Sequence, residues 1–250
     1  MTVRSRRART GLWCVTAVMG AALMSGCSED SPPPAIKFRA AKPAGDKLGF
    51  RPTPGSPVTL SQWPDACKLM TDGEIRAILP QAKEFERKPV KVTILNMDPL
   101  SEAAPGTTGD VPRGGCEFGF ALPSKGGDSS RNSSVSITVT AIADPAAVKK
   151  RYLEDKKGDS KKKGFTDLGD SWGVEGCYAV QNSVSDTGAD CYQGPYLFEV
   201  GGSSWADGVA PQPGADAEPA ENIAAVKKRA RTWQTKVLAE SVRTVGARMS

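Results

Sequence analysis

The 250-residue sequence contains no histidine, and this absence excludes several kinds of site. Residues 169–173 (Gly-Asp-Ser-Trp-Gly) are similar to the nucleophile loop of a serine protease, but no histidine is present to act as the base. The sequence also has no Cys-x-x-Cys pair, so a zinc site is not indicated. A phosphate-binding glycine loop is likewise missing. We therefore predict no catalytic residues, no metal and no cofactor, and a protein that is not an enzyme.

Hydrophobic runs long enough to cross a bilayer are missing as well. The apolar run from Gly11 to Met24 has 14 residues, whereas a spanning helix needs about 20. The run follows four arginines and precedes Ser25, Gly26 and Cys27, which is the order of a bacterial lipoprotein signal. We predict that residues 1–26 are a signal peptide and that Cys27 carries the lipid. The alternative is a plain secreted protein with an ordinary thiol at Cys27.

A strong net charge is also absent from the mature chain. The formal charge of +5 comes mostly from the signal peptide, which holds four of the 33 basic residues and none of the 28 acidic ones. A nearly neutral chain does not indicate a nucleic-acid partner. The predicted partners are the membrane, through the lipid on Cys27, and a protein or cell-envelope ligand. The predicted location is the extracytoplasmic face of the cell membrane.

The cysteines that remain after export predict two disulfides. One of the six leaves with the signal peptide and Cys27 is lipidated, so the mature domain keeps Cys67, Cys116, Cys177 and Cys191. An even number in an exported protein is typical of a disulfide framework, and four cysteines allow three pairings. We favour Cys67–Cys116, which joins the start of a helix to a strand. We also favour Cys177–Cys191, which closes a short loop across a predicted hairpin.

Proline divides the mature chain into a tether and a domain. Seven prolines between residues 28 and 60 predict a disordered tether over residues 27–60. The alternative for its last part is that the segment from Phe50 to Leu60 packs as an edge of the domain. Residues 61–250 are predicted to form a single domain.

Three helices are predicted within that domain. Thr71 and Glu74 form a capping box for a short helix that Pro80 ends. A second helix begins at Asp144-Pro145 and runs to about residue 157. Apolar residues at three- and four-residue steps from residue 223 to 249 predict a long amphipathic helix at the C-terminus.

Alternation of apolar and polar residues predicts the strands. The predicted strands cover residues 90–95, 116–122, 135–141, 178–180 and 191–200. The last two of these would form the hairpin that the disulfide closes. Glycine- and proline-rich loops are predicted at residues 97–115 and 201–222.

The order of these elements resembles an actinobacterial family of secreted lipoproteins that is known only as a domain of unknown function. Besides the lipoprotein signal, the tether and the C-terminal helix, the resemblance depends on short motifs at Cys67-x-Leu69-Met70-Thr71-x-x-Glu74, Cys116-x-Phe118 and Leu168-Gly169-Asp170. It covers about residues 62–249, and it departs from the family at Phe118, where tryptophan is frequent. The resemblance implies an α+β fold with a curved antiparallel sheet backed by helices, and it implies no activity.

The remaining candidates are binding residues. Trp172 and Trp205 lie in predicted loops and are candidates for lining a binding cleft. A Ser–Lys dyad at Ser171 and a calcium site at Asp186 and Asp190 stay open, although neither has the usual spacing. The expected function is that of a lipid-anchored binding or accessory lipoprotein. The alternatives are an envelope hydrolase with a non-histidine active site and a structural cell-wall spacer.

Overall fold

A computed structural model describes residues 35–52, 58–95, 108–124, 131–181, 187–209 and 218–250. All of them belong to one compact unit, Pro32–Ser250. The predicted signal peptide and the lipidation site Cys27 lie outside the described residues. None of the described helices is both long and apolar enough to cross a membrane.

The domain is α+β, as predicted, with one antiparallel sheet and a long C-terminal helix. The strands are β1 (Lys83–Leu95), β2 (Thr108–Ala121), β3 (Ser133–Ile142), β4 (Phe165–Gly169), β5 (Gly176–Val180), β6 (Thr187–Gln193) and β7 (Tyr196–Ser204). They lie in the order β1-β2-β3-β7-β6-β5-β4. The helices are α1 (Asp72–Ile78), α2 (Pro145–Asp159), α3 (Pro219–Trp233) and α4 (Ala239–Met249). One π-helical turn, Gln234–Leu238, makes α3 and α4 continuous.

The inner face of the sheet holds the main hydrophobic core. Strict alternation in β3 places Val135, Ile137 and Val139 on this face with no exposed surface. The C-terminal helix packs across them, and the ring of Trp233 lies 6.2 Å from that of Phe120. Each large apolar side chain buried in this way contributes about 1.5–3 kcal/mol.

Helix α2 covers one end of the outer face. Asp144 caps it by accepting a hydrogen bond from the backbone N–H of Ala146 at 2.9 Å. Val148 and Tyr152 are buried, and the Tyr152 ring lies 4.5 Å from that of Tyr192 on β6. The contacts of α2 are with strands β4 to β7, so the outer face of β2 is left open among the described residues.

Both predicted disulfides are confirmed. Cys177 and Cys191 are directly opposite each other on β5 and β6, with their Cα atoms 4.1 Å apart. Cys67 lies in a 3₁₀ turn, Ala66–Lys68, and its Cα is 5.0 Å from that of Cys116 on β2. The bond Cys177–Cys191 thus links two neighbouring strands, β5 and β6, and the bond Cys67–Cys116 links β2 to the segment before α1.

The segment of residues 35–52 packs on the domain, which corrects the predicted tether. Ile36 is buried and donates a backbone hydrogen bond to Gly208 at 3.2 Å. Leu48 donates to the carbonyl of Arg248 at 2.8 Å. Val58, beyond the next gap, is buried too. An extended segment can bury scattered apolar side chains without any periodicity, so periodicity did not indicate this packing.

Four predicted loops and strand boundaries are also corrected. Strand β2 begins at Thr108, although residues 97–115 were predicted to be a loop. Strand β7 continues to Ser204, and the predicted single strand 191–200 is two strands. The turn between them contains Gly194 at φ 52°, a conformation that glycine adopts without strain. Strand β1 begins at Lys83, because an edge strand tolerates charges and Pro89.

Candidate functional site

The open part of the outer face forms a shallow trough with a floor of small residues. In one cross-strand row, Gly119 of β2 is opposite Ser134 of β3, which is opposite Ser203 of β7. In the next row, Ser136 is opposite Gly201. Because these side chains are short, the sheet surface is accessible between the taller side chains on either side. We call this surface the outer trough.

One end of the outer trough is a cavity of about 340 Å³. It lies where β3 begins and β7 ends, and we call it the trough cavity. Its lining residues are Glu86, Lys88, Glu117, Gly119, Arg131, Asn132, Ser133, Ser134, Ser203 and Trp205. Its volume is within the range of small-molecule binding sites, about 300–1,000 Å³.

Trp205 forms one wall of the trough cavity and is 57% exposed. Its backbone N–H donates to the carbonyl of Asn132 at 2.7 Å, which fixes the chain just after β7. The guanidinium of Arg229 lies 5.9 Å from the ring centroid. Burial lowers the pKa of Arg229, and the nearby Asp207 opposes that shift. Trp205 is therefore held in place although much of its surface faces solvent.

Asn132 builds the end of the cavity rather than offering free polar atoms. Its side-chain amide donates to the Leu122 carbonyl and to the Ser124 hydroxyl, each at 2.8 Å. Its side-chain oxygen accepts from the backbone N–H of Leu122 at 3.0 Å. By contrast, Ser134 and Ser203 make no side-chain hydrogen bond within the part of the chain that the structure describes. Their hydroxyls are thus the polar groups on the floor that a ligand can use.

The charges around the trough cavity balance. Arg131 forms an ion pair with Glu86 at 2.9 Å, and both side chains are about half exposed. Lys88 and Glu117 are directly opposite each other on β1 and β2. Two cations and two anions therefore surround the cavity, and it carries no strong potential of either sign.

Two carboxylates lie at the other end of the outer trough. Asp190 of β6 is directly opposite Glu199 of β7. Burial raises the pKa of Asp190 to about 7, and the carboxylates of Glu199, Asp159 and Asp155 add to the shift. Partial burial also raises the pKa of Glu199. This pair can therefore hold a proton near neutral pH.

The structure separates the two tryptophans that the sequence suggested as one cleft. Trp205 lines the trough cavity, whereas Trp172 is buried, 7% exposed, in the core. The assignment of Trp172 to a binding cleft is thus wrong, because the turn after β4 directs its ring inward. Ser171 donates its hydroxyl to the Leu168 carbonyl at 2.5 Å and has no lysine as a hydrogen-bond partner among the described residues.

The calcium site that the sequence left open gains no support. No group of three or more Cys, Asp or Glu residues in the described ranges is arranged to hold a metal ion. Asp186, half of the suggested calcium pair, lies outside those ranges. Residues 149–163 hold eight lysines and arginines and are a possible contact surface for anionic lipid or wall polymer. Within this segment, Lys156 pairs with Asp167 at 2.7 Å and Lys162 with Asp159 at 2.6 Å. Part of its charge is thus neutralised.

Sequence reasoning found Trp205 but missed the rest of the trough cavity. Glu86, Lys88 and Arg131 were missed because the predicted strands include none of them: the first begins at residue 90, and residue 131 lies between the predicted strands 116–122 and 135–141. The sequence of β3 held a usable signal. Its apolar residues alternate with serine and threonine, and residues such as Ser134 and Ser136 must therefore lie on the face of the sheet away from the core. A second signal was the sequence Gly-Gly-Ser-Ser at residues 201–204, which ends β7 and is followed directly by Trp205.

Comparison of the chain with known proteins identifies no similar protein. No protein-family model matches the chain, and neither the curated proteins nor the solved structures contain a match.

Proposed function

We propose that the protein is a lipid-anchored binding lipoprotein of the cell envelope that holds its ligand in the trough cavity without transforming it. The signal sequence and Cys27 support the anchor. The single observation that carries the binding role is the open trough cavity, with an exposed tryptophan held beside serine hydroxyls that have no hydrogen-bond partner within the described ranges. An exposed Trp at a concave site is typical of recognition surfaces.

The packed segment of residues 35–52 changes the proposed geometry of the anchor. Only residues 28–34 separate Cys27 from the first described residue, Ala35. Seven residues span at most about 25 Å, so the domain is proposed to stay close to the membrane. The ligand is then a component of the envelope near the membrane surface, or a protein carried there.

Crosslinking in cells tests the binding role. The photoreactive residue p-benzoylphenylalanine is placed at Lys88, which lines the trough cavity, and at Lys228, an exposed lysine of α3 that does not. Irradiation should give an adduct at position 88 and none at position 228. Equal adducts, or none at position 88, contradict the proposal.

The anchor is tested separately with Cys27→Ala. The wild-type chain should incorporate an alkyne-labelled fatty acid and partition into the detergent phase, whereas the variant should do neither. A variant that is still labelled and still membrane-bound overturns the assignment of Cys27.

The carboxylate pair favours a second candidate, an envelope hydrolase. Asp190 and Glu199 are neighbours with raised pKa values, as general acids in hydrolases are. Incubation of the protein with neutral oligosaccharides and with peptides, followed by mass spectrometry, should detect cleavage that Asp190→Asn abolishes. Intact substrates after long incubation with the wild-type protein exclude this candidate for those substrates.

A further inference from the structure

Trp205 is suited to act as a flat platform for a ligand. It is the one aromatic side chain among the large apolar residues that are exposed in the described part of the chain. Its backbone is fixed by the hydrogen bond to Asn132, and the next residue, Ala206, donates to the Ser204 hydroxyl at 3.2 Å. That hydroxyl is itself bonded to the buried Ser133 at 2.8 Å. Little conformational freedom is therefore lost when a ligand packs on the ring.

The ring of Trp205 separates two environments. It lines the trough cavity, and it also lines a second, narrow cleft with Arg229 and Trp233. The Arg229 guanidinium lies on the side of this second cleft, where only about 5% of the residue is exposed. The guanidinium makes a cation–π contact with the ring, and Arg229 is not among the residues that line the trough cavity, so this contact leaves the cavity free for a ligand.

The polar groups around the cavity favour an uncharged ligand that carries both hydrogen-bond donors and hydrogen-bond acceptors. Arg131 and Lys88 donate, Glu86 and Glu117 accept, and the hydroxyls of Ser134 and Ser203 do both. Because the charges balance, a polyanion gains no net attraction. An aliphatic ligand would cover the hydroxyls of Ser134 and Ser203 without giving them hydrogen-bond partners, which costs free energy.

A peptide fits this site less well than a ring-shaped ligand does. Extended peptides usually bind by adding a strand to an exposed sheet edge. The cavity instead lies on the face of β2, β3 and β7, and each of these strands is paired on both sides. Their backbone groups are thus already used in the sheet.

We propose that the trough cavity binds a neutral saccharide, with one sugar ring stacked on Trp205. The apolar C–H face of a sugar ring packs against the aromatic face, and its hydroxyls bond to Ser134, Ser203, Arg131 and Glu86. The volume of about 340 Å³ suits one or two sugar rings. This inference rests on the proposed function and specifies the ligand class for the same cavity.

Calorimetric titration of the full-length mature lipoprotein in nanodiscs tests the ligand class. The probes are neutral trisaccharides of glucose, galactose, mannose and arabinose, together with a triuronate and a serine-rich hexapeptide. At least one neutral trisaccharide should bind with a Kd below about 1 mM. The proposal is overturned if no neutral trisaccharide binds, or if the triuronate or the hexapeptide binds instead.

Variants locate the binding. Trp205→Ala should weaken it at least tenfold and Trp205→Phe less than fivefold, whereas Ile223→Ala, at another exposed apolar position outside the cavity, should leave it unchanged. Gly119→Leu should abolish binding, because a Cβ there meets only Arg131 Cδ at 3.5 Å and the side chain fills the cavity. Circular dichroism confirms that each variant is folded. Unchanged affinity in folded Trp205→Ala or Gly119→Leu overturns the site.

The crosslinking experiment separates failure of this inference from failure of the proposed function. If the adduct at position 88 contains a protein and no saccharide binds, the proposed ligand class is wrong but the binding role is retained. No adduct and no saccharide binding overturn both.

Discussion

At the scale of single residues, Glu74 does two things, and the sequence predicted one of them. Its capping box with Thr71 is observed: the carboxylate accepts from the Thr71 backbone N–H at 2.8 Å. The same carboxylate forms a buried ion pair with Arg248 at 2.7 Å and accepts from Ala44 at 3.0 Å. A local motif can be recognised from four residues, but a partner 174 positions away cannot.

The buried pair gives the first prediction. Replacing Arg248 by alanine leaves Glu74 buried without its cation, and we expect the free energy of unfolding to fall by about 3–5 kcal/mol. The matched control is Arg87→Ala, because Arg87 pairs with Asp72 where both side chains are more than a third exposed. That change should cost at most about 1 kcal/mol. Urea unfolding of the disulfide-intact protein measures both, and equal losses contradict the prediction.

At the scale of elements, the helices were predicted better than the sheet. Capping residues and the 3.6-residue period located α1, α2 and the C-terminal helix. The strand boundaries failed where glycine, proline and charge interrupt the alternation, as in β1 and the first half of β2. In those places the strand is stabilised by hydrogen bonds to its neighbouring strand, and the local sequence does not show which strand will be the neighbour.

The N-terminal segment is an element that sequence periodicity missed, and its removal should be costly. A chain that begins at residue 53 loses the buried Ile36 and the partly buried Phe38, Leu48 and Phe50. We expect it to be less stable than a chain that begins at residue 35 by about 3 kcal/mol or more. Thermal and urea unfolding of the two chains measure the difference. Equal stability would mean that the segment contributes no packing energy.

The two disulfides differ in the loops that they close. The bond Cys67–Cys116 spans 49 residues and the bond Cys177–Cys191 spans 14. By the loop-entropy relation, the double alanine replacement of the first pair should cost about 4 kcal/mol and that of the second about 3 kcal/mol. Urea unfolding checks both values, with the intact wild-type chain as the control. A negligible loss for either pair contradicts the entropic account for that bond.

At the scale of the whole molecule, the layered fold could be predicted but the open face could not. The positions of the helical segments and the disulfide framework follow from local patterns and from export. Helix α2 belongs to the long connection that leads from β3, inside the sheet, to β4, at the edge away from β1. The path of this connection decides which half of the outer face α2 covers. That placement leaves the outer trough open and brings Asp190 and Glu199 to one end of it.

Two carboxylates, Glu74 and Asp190, should make the free energy of unfolding greatest at mildly acidic pH. Burial would raise the pKa of Glu74, but hydrogen bonds from Ala44, Thr71 and Arg248 outweigh it and leave that pKa below its usual 4.5. The stability that Glu74 contributes is therefore present above pH 4.5 and lost as the pH falls through its folded pKa. Asp190 behaves oppositely, because its pKa rises from 3.8 to about 7. Its folded form binds a proton more tightly than its unfolded form, so stability decreases as the pH rises from about 4 to about 7.

We therefore expect the free energy of unfolding to be greatest near pH 4–5 and to fall toward pH 7.5. Asp190→Asn removes the ionisation that causes this fall, and at pH 7.5 it should be more stable than the wild type by up to about 4 kcal/mol, the equivalent of a pKa that is raised from 3.8 to about 7. Asp170→Asn, at an exposed position, is the matched control and should keep the wild-type profile. Urea unfolding from pH 3 to pH 8 gives the three curves. If Asp190→Asn retains the wild-type slope between pH 4 and pH 7, the carboxylate pair is not the group that opposes folding at neutral pH.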